Sequence, residues 1–179
     1  MFEYFYNEIF RSVIIGFGSL FNGIEIKKGD SIIKVPLAYG PTQKFLARMQ
    51  QEADLNKPVS ITLPRMSFEF LGLQYDSSRK STQTQTIINQ TPDGANVKRN
   101  YLPVPYNMRF ELSIMTKLND DMLQIIEQIL PYFQPAYQLP INFLGNLKEK
   151  RDVPINLDNI SMEDDYEGNF DTRRALIYT

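Results

Sequence analysis

YNMRFELSIMTKLNDDMLQIIEQILPYFQP, Tyr106–Pro135, changes its apolar period half-way along. Tyr106, Met108, Phe110, Leu112 and Ile114 alternate with Asn107, Arg109, Glu111 and Ser113, the period-two pattern of a strand with one buried face. Further on, Met122, Ile125, Ile126, Ile129, Leu130 and Phe133 recur at helical steps and predict a stripe facing a core. Asn119 can cap that helix, and Asp120 and Asp121 suit the positive field of its first turn. Pro131 and Pro135 end it. Because the stripe is continuous, Ile126→Asp is expected to abolish folding.

Upstream, Phe2, Phe5, Ile9, Val13, Phe17 and Leu20 predict an amphipathic helix over Phe2–Phe21, weakened in its second half by Gly16 and Gly18. Ile24-Glu25-Ile26, the turn residues Lys27-Lys28-Gly29-Asp30 and a shared face of Ile33, Val35 and Leu37 predict a hairpin. Pro41 suits the first turn of a second helix, with Phe45, Met49 and Ala53 on its stripe and an end near Asn56-Lys57-Pro58. Val59, Ile61 and Leu63 alternate up to Pro64, and Met66, Phe68 and Phe70 resume towards Tyr75. That reads as one long bent strand or two short ones, with Pro64 at an edge or bulge.

From Asp76 to Asn100 the chain turns polar: SSRKSTQTQTIINQT is followed by the turn chemistry of TPDGAN. A segment of this length is a functional loop, a disordered one, or a long hairpin arm, since Thr82, Thr84 and Thr86 alternate with Gln83 and Gln85. Downstream, Val153, Ile155 and Leu157 alternate loosely, and an acidic stretch follows (Asp158, Glu163, Asp164, Asp165, Glu167, Asp171). Arg173–Thr179 then begins a strand that stops without a turn, which suggests further sequence beyond it. The order α-β-β-α-β-β-β-α-β-β predicts an α+β fold, a mostly antiparallel sheet flanked by helices, with the polar arm over about 76–100. No repeat or linker divides the chain, so residues 1–179 read as a single domain.

Composition narrows the function. The 179 residues are enough to bury about two-thirds of the unfolded surface. With 42% hydrophobic and 22% charged residues, the composition is globular. Cysteine and histidine are both absent. Disulfide frameworks, zinc-thiolate sites, iron–sulfur clusters, His metal sites and His-based catalytic relays are therefore excluded. A net charge of -2 supplies no overall field for gathering nucleic acid. The apolar run Val13–Phe21 has no basic flank or cleavage site, so no signal peptide is expected, and no stretch is long enough for a membrane helix.

Few residues offer chemistry. Asp120, Asp121 and Glu127 define one alternative, a metal-dependent hydrolase; the ordinary role of such residues is helix capping and a solvated face. Glu163-Asp164-Asp165-Tyr166-Glu167-Gly168 lacks the alternating ligand spacing of a calcium loop and reads as a solvated acidic loop or a docking surface for a basic partner. Neither phosphate-loop pattern occurs, so no cofactor is expected. Lys80 and Arg99 with nearby aromatics define a second alternative, a nucleic-acid-binding module. Phe2, Tyr4, Phe5 and Tyr6 must point all round a helix, which leaves one side for the core and another exposed or against a partner.

Tyr106–Pro135 resembles the tail sheath stabiliser and completion proteins, also called tail terminators or connectors, of contractile-tailed bacteriophages. In that family a strand of the type YELSI-x-T runs into DDM-x-QI-x-EQILPYFQP. Glu111 to Ile114, Thr116, Asp120 to Met122, Gln124, Ile125 and Glu127 to Pro135 stand in that pattern here. Phe5-Tyr6-Asn7, Ile26-Lys27 with Val35-Pro36, Leu63-Pro64-Arg65 and Lys150-Arg151-Asp152 support it, whereas Ser77–Thr91 departs from it. The resemblance implies no catalytic residue. It implies a tail-terminator-like fold and a hexameric ring of copies that caps the tail tube, or a tube terminator, at the head-proximal end of the virion tail. The ring would hold the last sheath disc and meet the head's neck proteins, after assembly in the host cytoplasm. DNA would pass through without specific binding, and the family's members continue beyond this chain's last residue. Tyr4, Tyr6, Arg79, Lys80, Asp164 and Asp165 are the candidate interface positions.

Overall fold

The structure, a computed structural model, describes residues 4, 6–50, 62–82, 84–90, 97–144, 149–166 and 173–179. Helix α1 (Ile9–Phe21) is followed by strands β1 (Glu25–Lys28), β2 (Ser31–Lys34) and β3 (Leu37–Tyr39) and helix α2 (Thr42–Gln50). Then come β4 (Arg65–Tyr75), β5 (Thr86–Gln90), β6 (Val97–Tyr101), β7 (Tyr106–Thr116), helix α3 (Asn119–Ile129) and a 3-10 turn at Leu130–Tyr132. Strands β8 (Ala136–Leu144), β9 (Glu149–Asn156), β10 (Met162–Tyr166) and β11 (Arg173–Tyr178) complete the order. This is an α+β fold, with a five-stranded sheet in the order β10-β11-β7-β4-β3 and three hairpins, β1-β2, β5-β6 and β8-β9. Among the described residues, β3-β4 alone pairs parallel and the other pairs are antiparallel.

Both faces of the central sheet are covered at one end, as the residue pattern of β7 shows. Asn107 to Phe110 alternate between exposed and half-buried, but Ser113, Ile114, Met115 and Thr116 are all buried. Ile114 packs with Phe17 and Phe21 of α1 and Met122, Ile125 and Ile129 of α3. Met115 faces the other way and meets Phe45 of α2 and Ile177 of β11. On the outer side of α1, Val13 packs against Leu139 and Ile141 of β8. The helix thus lies between the sheet and the β8-β9 hairpin. Its two glycines mark those contacts. A β-carbon on Gly18 would lie 2.7 Å from the Phe68 ring, and one on Gly16 would lie 3.0 Å from Leu139.

Several expectations change. Helix α1 begins at Ile9, not Phe2, because Glu8 sits at φ 54 in the left-handed region. Tyr4 and Tyr6 therefore precede the helix instead of lying on it. Asn119 is the first residue of α3, not its cap; Leu118 holds the cap position in an extended conformation. The run Ile33–Leu37 breaks into two strands, with Ile33 exposed and Val35 buried. β4 is one long strand that starts after Pro64, with a bulge between Phe70 and Gly72. The polar segment contains the hairpin arm β5-β6, although pairing starts only at Thr86. Strands β8 and β10 were not foreseen. Phe2, Phe5, Ala53, Asn56-Lys57-Pro58, Val59, Ile61, Gln83, the TPDGAN turn, Glu167, Gly168 and Asp171 lie outside the described residues, as does the Met49 side chain.

Candidate functional site

The polar face of α3 is occupied by structural bonding. Gln124 accepts a hydrogen bond from the Lys27 amide (2.9 Å) and donates to the Lys27 carbonyl (3.3 Å). One turn on, Gln128 accepts from the Glu25 amide (3.4 Å) and donates to its carbonyl (2.7 Å). Each side-chain amide copies a peptide group, so two glutamines at i and i+4 act as a surrogate strand on the β1 edge that β2 leaves open. Asp121 ends the row: it is buried, and its carboxylate meets the Lys28 ammonium at 2.8 Å. Asp120 accepts from Gln124 at 3.1 Å, and Glu127 is exposed.

Asp120, Asp121 and Glu127 are therefore not brought together. Glu127 lies six positions beyond Asp121, about 9 Å further along the helix and about 120° away around its axis. Among the described residues no three acidic side chains gather at metal-holding distance. No helix among them is long and apolar enough to cross a membrane.

A second polar cluster fixes the base of the arm. Asp76 accepts from the Ser78 amide (2.9 Å), the Ser78 hydroxyl (2.5 Å) and Arg79 Nε (2.5 Å). Arg79 also donates to Asn107 Oδ1 on β7 at 2.5 Å. The Ser78 hydroxyl, then Arg79, hold the Asp76 carboxyl down at about 2. Arg79 is thus engaged within its own chain, while the exposed Lys80 has no bonding partner among the described residues. Arg99 is exposed on β6 opposite Ile88.

Among the described residues, the outward-facing features are apolar surface and strand edge. Tyr4 is 95% exposed, and Tyr6 is exposed as well. Leu73, Tyr75 and Tyr106 continue the α1-side face of the sheet past the end of the helix, with the Tyr75 and Tyr106 rings edge to face at 5.6 Å. Ile88, Val97 and Tyr101 are exposed on the arm, Tyr101 at 77%. Glu163 and Asp164 are exposed on β10, which is an edge strand of the sheet and not a loop; Asp165 lies on it too, with its side chain outside the described residues.

Sequence reasoning missed the Gln124–Gln128 lock and the acidic edge strand. The lock had a signal in two glutamines four residues apart on a helix. The strand had one in Met162 and Tyr166 flanking the acids. Against known proteins, a family model described as T4-like virus Myoviridae tail sheath stabiliser matches residues 4–179. The tail completion protein gp15 of Enterobacteria phage T4 is 34% identical over 190 residues, which cover 98% of this chain and 68% of that protein.

Proposed function

This chain belongs to the T4-like myoviral tail sheath stabiliser family, and from that premise we propose that it is a structural virion protein that completes the phage tail. Copies form a ring, six to a turn, that caps the tail tube at the head-proximal end. The ring holds the last sheath disc and offers its other side to the neck of the head, and DNA passes through the opening. The observation that carries this reading is the family match along this chain, residues 4–179 of 179.

The geometry supports it. Asp120 and Asp121 on α3 and Asp76 bond within the chain, whereas apolar side chains and strand edges face outward, as contact between copies and with tube and sheath requires. Tyr4, Tyr6, Lys80, Asp164 and Asp165 belong to these contact surfaces. Arg79 serves them through the arm that it steadies. The chain acts as one unit over residues 1–179.

Electron microscopy of purified chain mixed with tubes and sheaths tests the proposal. Rings at the tube end, with sheaths that no longer shed their terminal discs, are the expected result. Chain that stays monomeric and leaves tube and sheath unchanged would overturn it.

A further inference from the structure

The arm strands β5 and β6 form a sheet of their own, and among the described residues no third strand pairs with either outer edge. An isolated two-stranded hairpin is marginal in water, and this one leaves Ile88, Val97 and Tyr101 to solvent. On the central sheet, β10 likewise pairs only with β11 among the described residues, and Met162 is exposed on it. Both β6 and β10 are five residues long. Their charges are opposite: β6 carries Lys98 and Arg99, and β10 carries Glu163, Asp164 and Asp165.

The same charges oppose like pairing. A β10 edge against its copy would bring an acidic strand beside an acidic strand, and a β6 edge against its copy a basic strand beside a basic one. Like charges on adjacent strands are destabilising. Each edge therefore rejects itself and suits the other.

We propose that β6 of one copy adds to β10 of a second copy, so that the two arm strands and the five of the central sheet continue as one sheet across the boundary. Main-chain hydrogen bonds bind the strands and the charge pairs choose the partner. Donor and acceptor edges lie on different parts of the chain, so the contact is head to tail, and such contacts make rings where the rotation closes. This deepens the ring reading above and rests on it.

The test uses the full chain with tubes and sheaths. One variant carries Lys98→Glu with Arg99→Glu, a second carries Glu163→Lys with Asp164→Lys, and a third carries all four. Circular dichroism checks folding. Each two-site reversal is expected to lower tail-bound chain at least tenfold, and the four-site reversal is expected to restore it. With unaltered chain, a zero-length carbodiimide should join Lys98 to Glu163, Asp164 or Asp165 between copies, as mass spectrometry of mixed isotope-labelled chains would show. Rings that form without this cross-link would overturn the strand contact and leave the ring reading standing. Cross-links running from β10 to a sheath or tube chain would do the same. Unaltered chain that forms no assembly on tails would overturn both.

Discussion

At the scale of single residues, Gly18 shows how packing reverses a propensity argument. In an exposed helix Gly→Ala gains about 1 kcal/mol. Here the new methyl would lie 2.7 Å from the ring of Phe68, which is buried beside Phe17 with ring centroids 5.5 Å apart. Overfilling a packed core costs about 1–3 kcal/mol, so Gly18→Ala should lower stability by about 1 kcal/mol net. Gly23→Ala, with nothing within 4 Å of its new methyl, should stay within about 0.5 kcal/mol. Urea midpoints measured on both variants check this. Asp76 makes a second prediction at this scale. Its folded carboxyl lies below the ordinary 3.8, at about 2. It therefore contributes stability above the ordinary value, and that contribution is lost as pH falls through about 2. A carboxyl titration by NMR should show the low midpoint. Ser78→Ala should raise it towards 3.8, and Arg79→Ala should raise it by less.

At the scale of elements, β7 and α3 were legible because a change of period within one run is a strong signal, and both occur where the pattern puts them. Their ends were less legible, because Asn119 at a cap and Asn119 in the first turn have the same sequence. The stripe on α3 ranks its residues further: Ile125 is fully buried, whereas Ile126 is half-buried at the core's margin. Ile125→Asp is the substitution that should abolish folding, and Ile126→Asp should cost less. The glutamine lock was not legible, because a polar helix face looks the same whether it meets water or a strand edge. Its prediction is specific. Each glutamine contributes about 0.5–1.5 kcal/mol per net hydrogen bond. Replacing both Gln124 and Gln128 with Ala should speed hydrogen exchange at the Glu25 and Lys27 amides, which donate to them. The Val35 amide donates to the Ile24 carbonyl instead and should exchange much as before. Uniform acceleration of all three would mean that α3 contributes only apolar packing to the hairpin.

At the scale of the whole molecule, the fold class was readable from element order, but the sheet order was not. β11, the last strand, inserts between β7 and β10, and no local pattern specifies which distant strand it joins. Nor could sequence alone choose between a mobile loop and a hairpin for the polar segment, since threonine and glutamine serve both. The structure divides the labour between body and arm. The buried clusters draw on α1, α2, α3, β1, the central sheet and the β8-β9 hairpin, and among the described residues none includes a side chain of β5 or β6. The arm is instead anchored at its base, where Arg79 links Asp76 to Asn107. Stability and assembly should therefore separate. Replacing residues 80–102 with a short Gly-Ser linker removes no clustered core residue among those described and shortens a connection whose closure entropy changes only slowly with length. The body's Tm should fall by no more than a few degrees. Binding to tubes and sheaths, measured by co-sedimentation, should be lost together with self-association. If the trimmed chain instead unfolds near room temperature, the arm belongs to the core. If it is stable and still caps tails, the arm has no part in joining the copies.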